Sequence, residues 1–278
     1  MPELPEVETI RRDLEKEVVG KRVKTVDVSG MRAVRRHPNK KHFAGKLEGR
    51  KIETIGRRGK WLLFDLDGDD MLIAHLGMSG QLRKASAKDP LEKHTHVVMT
   101  FTVGGHLRFI DPRTFGELFV CATADMATEV PEVAELGFDP LEDVMSWNLF
   151  GGMLMARKLK LKTLLMDQRF VAGIGNIYSD EILWTAGLRH DRSSDSLTTQ
   201  EVRRLYRAIG EVLHEAVKLR GSSLADMQYC DLYGEPGRYQ EEHKVYAREG
   251  EACRRCRQPI IRTKWSSRST FSCGACQV

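Results

Sequence analysis

The chain has 278 residues, 41% hydrophobic and 30% charged, the profile of an ordinary globular protein rather than a disordered or fibrous one. No apolar run approaches the ~20 residues that a bilayer-crossing helix needs. The acidic start MPELPEVE has no apolar h-region, so no membrane is expected as a partner and the cytoplasm is the expected location. The net charge of +5 is concentrated: residues 251–278 carry Arg254, Arg255, Arg257, Arg262, Lys264 and Arg268 against Glu251 alone, leaving the rest of the chain neutral. A small basic module of this kind points to nucleic acid.

In chain order, the first stretch places Glu3, Glu6 and Glu8 around Pro2 and Pro5. Taken alone it reads as a helix start, because Pro fits the first turn and carboxylates suit the positive end of the helix dipole. Val7, Ile10, Leu14 and Val18 share one helical face and Gly20 stops the pattern, predicting a helix over 6–19. From about 21 to 122 the chain turns strand-like: KWLLFDL, MLIAHL, HVVMTFTV and HLRFI are short, rich in Val, Ile, Leu and Phe, and divided by Gly, Asp and Asn. Gly104-Gly105 reads as a hairpin turn, and several strands at this spacing imply a sandwich or barrel.

After PEVAELGFDPLED the periodicity becomes helical. In LLMDQRFVAGIGNIYSDEILW two helical runs flank a turn holding Gly173, Gly175 and Asn176; Asn176 is a natural N-cap, and the free N–H groups there suit an anion. A nucleotide loop is excluded, since no Gly-Lys-Ser/Thr follows and no third glycine completes a dinucleotide fingerprint. Thr198-x-x-Glu201 is a capping box that opens a long helix with Val202, Leu205, Ile209, Val212, Leu213 and Val217 on its apolar face. The expected organisation is a β domain over 1–131, a hinge over 132–150, a helical domain over 151–242 and a C-terminal module over 243–278.

That module contains Cys253-x2-Cys256 and Cys273-x2-Cys276, the spacing of a four-thiolate tetrahedral zinc site. Four thiolates leave no open position, so one structural Zn2+ is expected, and a module this short needs the metal to fold. Disulfides are disfavoured in a cytoplasmic chain. Cys121 and Cys230 lack such spacing and read as small buried hydrophobes.

The motifs MPELPEVET, RRGKWL, HLGMSGQL, DPRTFG, LLMDQRFVAGIGNIYSDEIL, GEPGRYQEEHKVYAREGEAC and RSTFSCGACQ follow one another in an order that resembles the bacterial formamidopyrimidine-DNA glycosylases over essentially the whole chain. The resemblance implies an α+β multidomain fold: an N-terminal β-sandwich with a leading helix, a helix–two-turn–helix domain and a four-cysteine zinc-finger hairpin. It implies base-excision repair, with removal of oxidised purines (8-oxoguanine, formamidopyrimidines) and AP lyase strand cleavage by β,δ-elimination. Double-stranded damaged DNA is the expected partner, bound by a monomer.

On this resemblance Met1 is removed and Pro2 becomes the nucleophile. An α-amino group titrates near 7.7–8.0 against ~10.4 for Lys, so about ten per cent is neutral at pH 7. A secondary amine attacking C1′ of the deoxyribose also yields an iminium with no N–H proton to lose, an electron sink for the later eliminations. The resemblance assigns Glu3 as the proton-shuttling acid/base and Glu6 as a supporting carboxylate, although a helix-dipole role for Glu6 fits equally well. It assigns Lys60 to β-elimination and lesion contact, and Arg268 to phosphate binding and δ-elimination. Met78, Arg113 and Phe115 match the residues that fill the hole left by a flipped nucleotide, while His75, His94, Arg157, Lys162 and Asn176 match DNA contacts. Two departures stand out: KWSSRST lacks the glycine often found before the zinc-finger arginine, and the lesion-capping segment 221–239 carries Tyr229 and Cys230. Leu4 and that long segment argue against the sister endonuclease VIII type, which favours oxidised pyrimidines. A non-catalytic DNA-binding protein would leave Pro2, Glu3 and Lys60 unexplained.

Overall fold

The computed structural model describes residues 1–224 and 228–278. The chain forms two compact units, one of Met1–Glu135 with Leu219–Arg238 and one of Leu136–Lys218 with Tyr239–Val278.

The first unit opens with helix α1 (Leu4–Val18), which starts two residues earlier than the apolar spacing predicts. The reason is a capping box: Glu3 is the N-cap, and the Glu6 carboxylate reaches back to the Glu3 N–H at 2.8 Å while the Glu3 side chain faces the Glu6 amide. Val7, Ile10, Leu14 and Val18 are all buried. Strand β1 (Val23–Val28), helix α2 (Lys40–Leu47), and strands β2 (Ile52–Arg58), β3 (Trp61–Leu66), β4 (Asp70–His75), β5 (Gln81–Ala85), β6 (Thr95–Phe101), β7 (His106–Ile110) and β8 (Glu117–Ala122) follow. They pair as two four-stranded antiparallel sheets, in the orders β1-β6-β7-β5 and β2-β3-β4-β8. Val26, Val97, Met99, Leu107 and Phe109 of one sheet meet Ile55, Leu62, Phe64, Leu72 and Leu118 of the other in one core, against which α1 packs. The expected β-sandwich with a leading helix is therefore present. Gly104 and Gly105 both take positive φ (94° and 88°) in the β6–β7 hairpin, the backbone that a tight turn between right-twisted strands requires. Two one-turn helices, α3 (Met126–Glu129) and α4 (Pro131–Ala134), end the continuous part of this unit.

Leu219–Arg238, which the sequence assigns to the helical domain, folds instead with the sandwich. It has no helical period, and its apolar residues Tyr229 and Leu232 find burial in the sandwich core. An Arg238 N–H to Leu219 C=O bond of 2.8 Å closes its base, and the Lys84 amide on edge strand β5 donates to the Leu232 carbonyl at 2.9 Å. Of the capping segment 221–239, residues 225–227 lie outside the described residues.

The second unit holds helices α5 (Trp147–Met155), α6 (Leu161–Leu165), α7 (Asn176–Ala186) and α8 (Thr199–Lys218), then the hairpin of β9 (Ile261–Trp265) and β10 (Arg268–Ser272). The box that opens α8 forms as expected, with the Thr198 amide donating to Glu201 at 2.8 Å, and the six apolar residues of its predicted face are buried. The cysteine module does not stand apart: Trp184 of α7 completes a small core with Val245, Ile260, Phe271, Cys253 and Cys273. Among the described residues, no helix is long and apolar enough to cross a membrane.

The β9–β10 turn is made by Ser266 and Ser267 with φ of 45° and 63°. An L-residue with a Cβ is strained in this left-handed region by roughly 1–2 kcal/mol. Ser267→Gly is therefore expected to stabilise the hairpin by about 1 kcal/mol, read as a rise in the urea midpoint of the second unit with the slope unchanged.

Candidate functional site

Pro2, Glu3 and Glu6 sit together at the start of α1. Pro2 is buried, and Glu3 and Glu6 are 2% and 1% exposed. Both oxygens of Glu6 are engaged: Oε2 accepts the Glu3 N–H at 2.8 Å and Oε1 accepts the Ser222 N–H at 2.7 Å. Glu6 thus joins the helix start to the 219–238 segment, a structural role that neither the supporting-carboxylate nor the dipole reading foresees. Gly221 makes this join possible, since a Cβ there would lie 2.6 Å from Glu6 Oε1.

Lys60 lies in the turn between β2 and β3, where Arg58 pairs with Trp61 and Gly59 takes φ 55°. Lys60 is 8% exposed, not the surface lysine its type suggests. Arg57, with a fully buried side chain, anchors this turn to α1 by donating to Glu8 Oε2 at 3.0 Å and to the Gly59 carbonyl at 3.1 Å. Burial alone would raise the Glu8 carboxyl, but hydrogen bonds from Arg11, Arg12 and Arg57 hold it below the usual range. The sequence names Glu8 only among the acidic residues of the helix start and gives Arg57 no role. Beside Lys60, His75 packs on Trp61 with ring centroids 4.4 Å apart. Burial first, then the Lys60 charge, drive its imidazole down to about 4, so it is neutral at pH 7 and presents a hydrogen-bonding group rather than a cation.

The β4–β5 and β7–β8 loops carry Met78, Arg113 and Phe115. Fully buried Asp111 clamps them together: Oδ1 accepts the Ser79 hydroxyl at 2.6 Å and the Arg113 N–H at 3.2 Å, and Oδ2 accepts the Gly116 N–H at 2.8 Å. A Cβ at Gly77 would stand 2.5 Å from the Gly116 nitrogen, so the loops touch backbone to backbone. On this base Met78 and Phe115 are 36% and 47% exposed, with the Arg113 guanidinium 5.3 Å from the Phe115 ring centre. Exposed apolar side chains on a rigid base suit wedges better than core filler. Asp111, directly before Pro112 at a strand end, is a further residue that sequence reasoning missed. His94 is exposed at φ 67°, and its carbonyl accepts the Asp111 amide at 3.0 Å.

In the second unit Arg268 is exposed at the start of β10, as a phosphate contact requires, and Arg157 is exposed just past α5. The Lys162 contact and the Asn176 cap are corrected. Lys162 is fully buried, its ammonium 2.7 Å from Asp180 Oδ1, and presents no charge to a phosphate. Asn176 does not cap α7; Gly175 holds that position, and Asn176 is the first helical residue, donating its side-chain amide to the Ser269 carbonyl at 3.0 Å. Both residues serve α7 as the dock for the hairpin. Asp180, pushed up to about 7 by burial against the pull of Lys162, also accepts the Phe271 N–H at 2.9 Å. Buried Glu181 accepts the amides of Lys244, Val245 and Tyr246.

The four sulfurs of Cys253, Cys256, Cys273 and Cys276 all lie within 4.8 Å of one another. Cys253–Cys276 and Cys256–Cys273 are 3.9 and 3.4 Å apart, against about 3.8 Å for a tetrahedron of sulfurs each ~2.3 Å from a metal. The donor set fits one tetrahedral ion. Cys121 and Cys230 are buried singly, as expected.

Residues 1–118 match the formamidopyrimidine-DNA glycosylase N-terminal domain and residues 136–228 the formamidopyrimidine-DNA glycosylase H2TH domain. The chain belongs to the formamidopyrimidine-DNA glycosylase family. It is 42% identical to the formamidopyrimidine-DNA glycosylase of Desulfitobacterium hafniense over the full length of both chains. The crystal structure of the MutM (Fpg) protein of Thermus thermophilus matches at 43% identity and TM-score 0.89, over 99% of this chain and 98% of that one. Lactococcus lactis Fpg in complex with DNA containing an abasic site matches at 36% identity and TM-score 0.90, over 99% of each chain.

Two consequences follow for solution behaviour. Because His75 binds its proton near pH 4 in the fold and near 6.5 when unfolded, the unfolded chain takes up more protons in between, and its contribution to stability is lost as pH falls from 6.5 towards 4. Urea midpoints at pH 7 and pH 5 should therefore converge in His75→Gln relative to the wild type. Asp111→Asn places an amide where Ser79, Arg113 and Gly116 all donate, and should cost about 1–3 kcal/mol in urea unfolding of the first unit.

Proposed function

We propose that the protein excises oxidised purines from duplex DNA and cleaves the resulting abasic strand by β,δ-elimination through a Schiff base on Pro2. The observation that carries the reading is the helix start: a proline one residue into the chain, buried beside the carboxylates of Glu3 and Glu6. The L. lactis relative's complex with abasic-site DNA supports the same substrate class.

In this reading the Pro2 nitrogen, once Met1 is removed, donates its lone pair to C1′ of the damaged nucleotide. The glycosidic electron pair leaves with the base, and Glu3 takes the proton that the Pro2 nitrogen sheds and passes it to the sugar ring oxygen as the ring opens to the iminium. Lys60 assists loss of the C2′ proton that expels the 3′ phosphate, and Arg268 holds the phosphates and promotes δ-elimination. Glu6 keeps the helix start in register. Met78, Arg113 and Phe115 occupy the gap left by the extruded nucleotide, which offsets an unstacking cost of a few kcal/mol. Arg157 and His94 remain DNA contacts in this reading, His75 is a neutral one, and Lys162 and Asn176 act through the hairpin they hold. The cytoplasm is the expected compartment and a monomer the expected form.

The four thiolates would hold one Zn2+, which supplies no chemistry and fixes the hairpin bearing Arg268. Cys256→Ser should lose the metal and weaken duplex binding; well-folded wild-type protein free of zinc in elemental analysis would refute the assignment.

A chain retaining an extra N-terminal residue before Pro2 tests the reading directly. The Pro2 nitrogen is then an amide, so binding to abasic-site duplex should persist while excision, strand cleavage and borohydride trapping all vanish. Undiminished strand cleavage by the blocked chain would overturn the Pro2 mechanism. The endonuclease VIII-type alternative is separated by comparing excision of 8-oxoguanine with that of an oxidised pyrimidine.

A further inference from the structure

Arg220 is a non-glycine residue with φ 64°, a conformation that persists only where its surroundings enforce it. What enforces it is a bridge. Its Nη2 bonds Asp13 of α1 and lies 2.6 Å from Asp231 Oδ2, and its Nε donates to the same oxygen at 3.0 Å. Both aspartates are buried, each with 3% of its side chain exposed. The Arg220 carbonyl in turn accepts the hydroxyl of buried Tyr229 at 2.9 Å. Asp231 Oδ1 takes the amides of Tyr233 and Glu235, so the far side of the segment is tied to the same point. One helical turn beyond Asp13, Glu17 accepts the Tyr233 hydroxyl at 3.0 Å and pairs with Lys84 at 2.7 Å.

Two residues after Arg220 comes the Ser222 amide that holds Glu6. Glu6 in turn holds the Glu3 amide at the helix N-cap. The geometry points to Arg220, with Asp13 and Asp231, as a set of positioning residues for the reaction: the bridge fixes the 219–223 turn on α1, and Ser222 and Glu6 relay that placement to Glu3 and Pro2. This rests on the Pro2 reading above. A guanidinium suits the task because its fork reaches two carboxylates at once, and it removes the repulsion between two buried acids that share one site.

Asp13→Asn is the discriminating variant, since it removes the carboxylate charge through which Arg220 holds α1 and leaves the Arg220–Asp231 pair within the segment. Arg220→Gly is the companion, because glycine accepts the left-handed backbone while deleting the bridge. Arg220→Lys keeps the charge without the fork. The readouts are single-turnover excision from an 8-oxoguanine duplex, the Kd for a duplex carrying a tetrahydrofuran abasic analogue, and hydrogen exchange at the Ser222 amide. A misplaced nucleophile is expected to slow excision by roughly ten- to a hundredfold in Asp13→Asn and Arg220→Gly, with the Kd near the wild-type value. Ser222 should lose exchange protection, and Arg220→Lys should recover part of the rate. Wild-type excision by Asp13→Asn, unchanged Ser222 protection, or a rate loss matched by an equal loss of affinity would each overturn the proposal while leaving the Pro2 mechanism standing. A wild-type protein that excises nothing would instead refute the functional reading and this proposal with it.

Discussion

The buried carboxylate of Glu6 is the constraint on which the first unit depends. A helix start leaves amide N–H groups without intrahelical partners, and Glu6 satisfies one of them at Glu3 while also taking the Ser222 amide from a segment more than two hundred residues away in sequence. A carboxylate this buried is tolerable only with both oxygens bonded. The same arrangement that closes the helix therefore fixes where the chain begins, and so where the Pro2 nitrogen lies. On the proposed mechanism, stability and chemistry draw on one set of hydrogen bonds.

Around that point the sandwich supplies rigid mounts. Arg57 and Glu8 tie the Lys60 turn to α1, and Asp111 makes one platform of two loops that carry exposed Met78, Arg113 and Phe115. In the second unit α7 plays the corresponding part. Asp180, Asn176 and Glu181 hold the hairpin and the chain leading into it, while Trp184 completes the core beneath the cysteines. Met78, Arg113, Phe115 and His94 stand on buried Asp111, and Arg268 on the hairpin that Asp180 holds.

Local signals made much of this legible in the sequence. The Thr198–Glu201 box, the Gly104-Gly105 turn, the apolar stripe of α1 and the paired cysteines each depend on residues close together in the chain, and each forms as read. What failed needed long-range information. Lys162 looks like a surface lysine until Asp180, eighteen residues on, folds against it. Asn176 sits at a natural cap position, but Gly175 precedes it with an extended backbone and the hairpin carbonyl of Ser269 claims its amide. Leu219–Arg238 follows helices in sequence yet buries Tyr229 and Leu232 in the sandwich, a choice made by the sandwich core and not by any local propensity. Motifs name the residues proposed to react or to touch DNA, whereas they give the anchors Glu8, Arg57, Asp111 and Arg220 no role, because an anchor is defined by its partner.

The proposed function stands on Pro2 as nucleophile. The most direct measurement is peptide mapping by mass spectrometry of the complex trapped by borohydride on an 8-oxoguanine duplex. The account predicts the reduced deoxyribose remnant on the nitrogen of Pro2, in a peptide that begins at Pro2 with Met1 absent. A remnant on Lys60, with the N-terminal peptide unmodified, would contradict it.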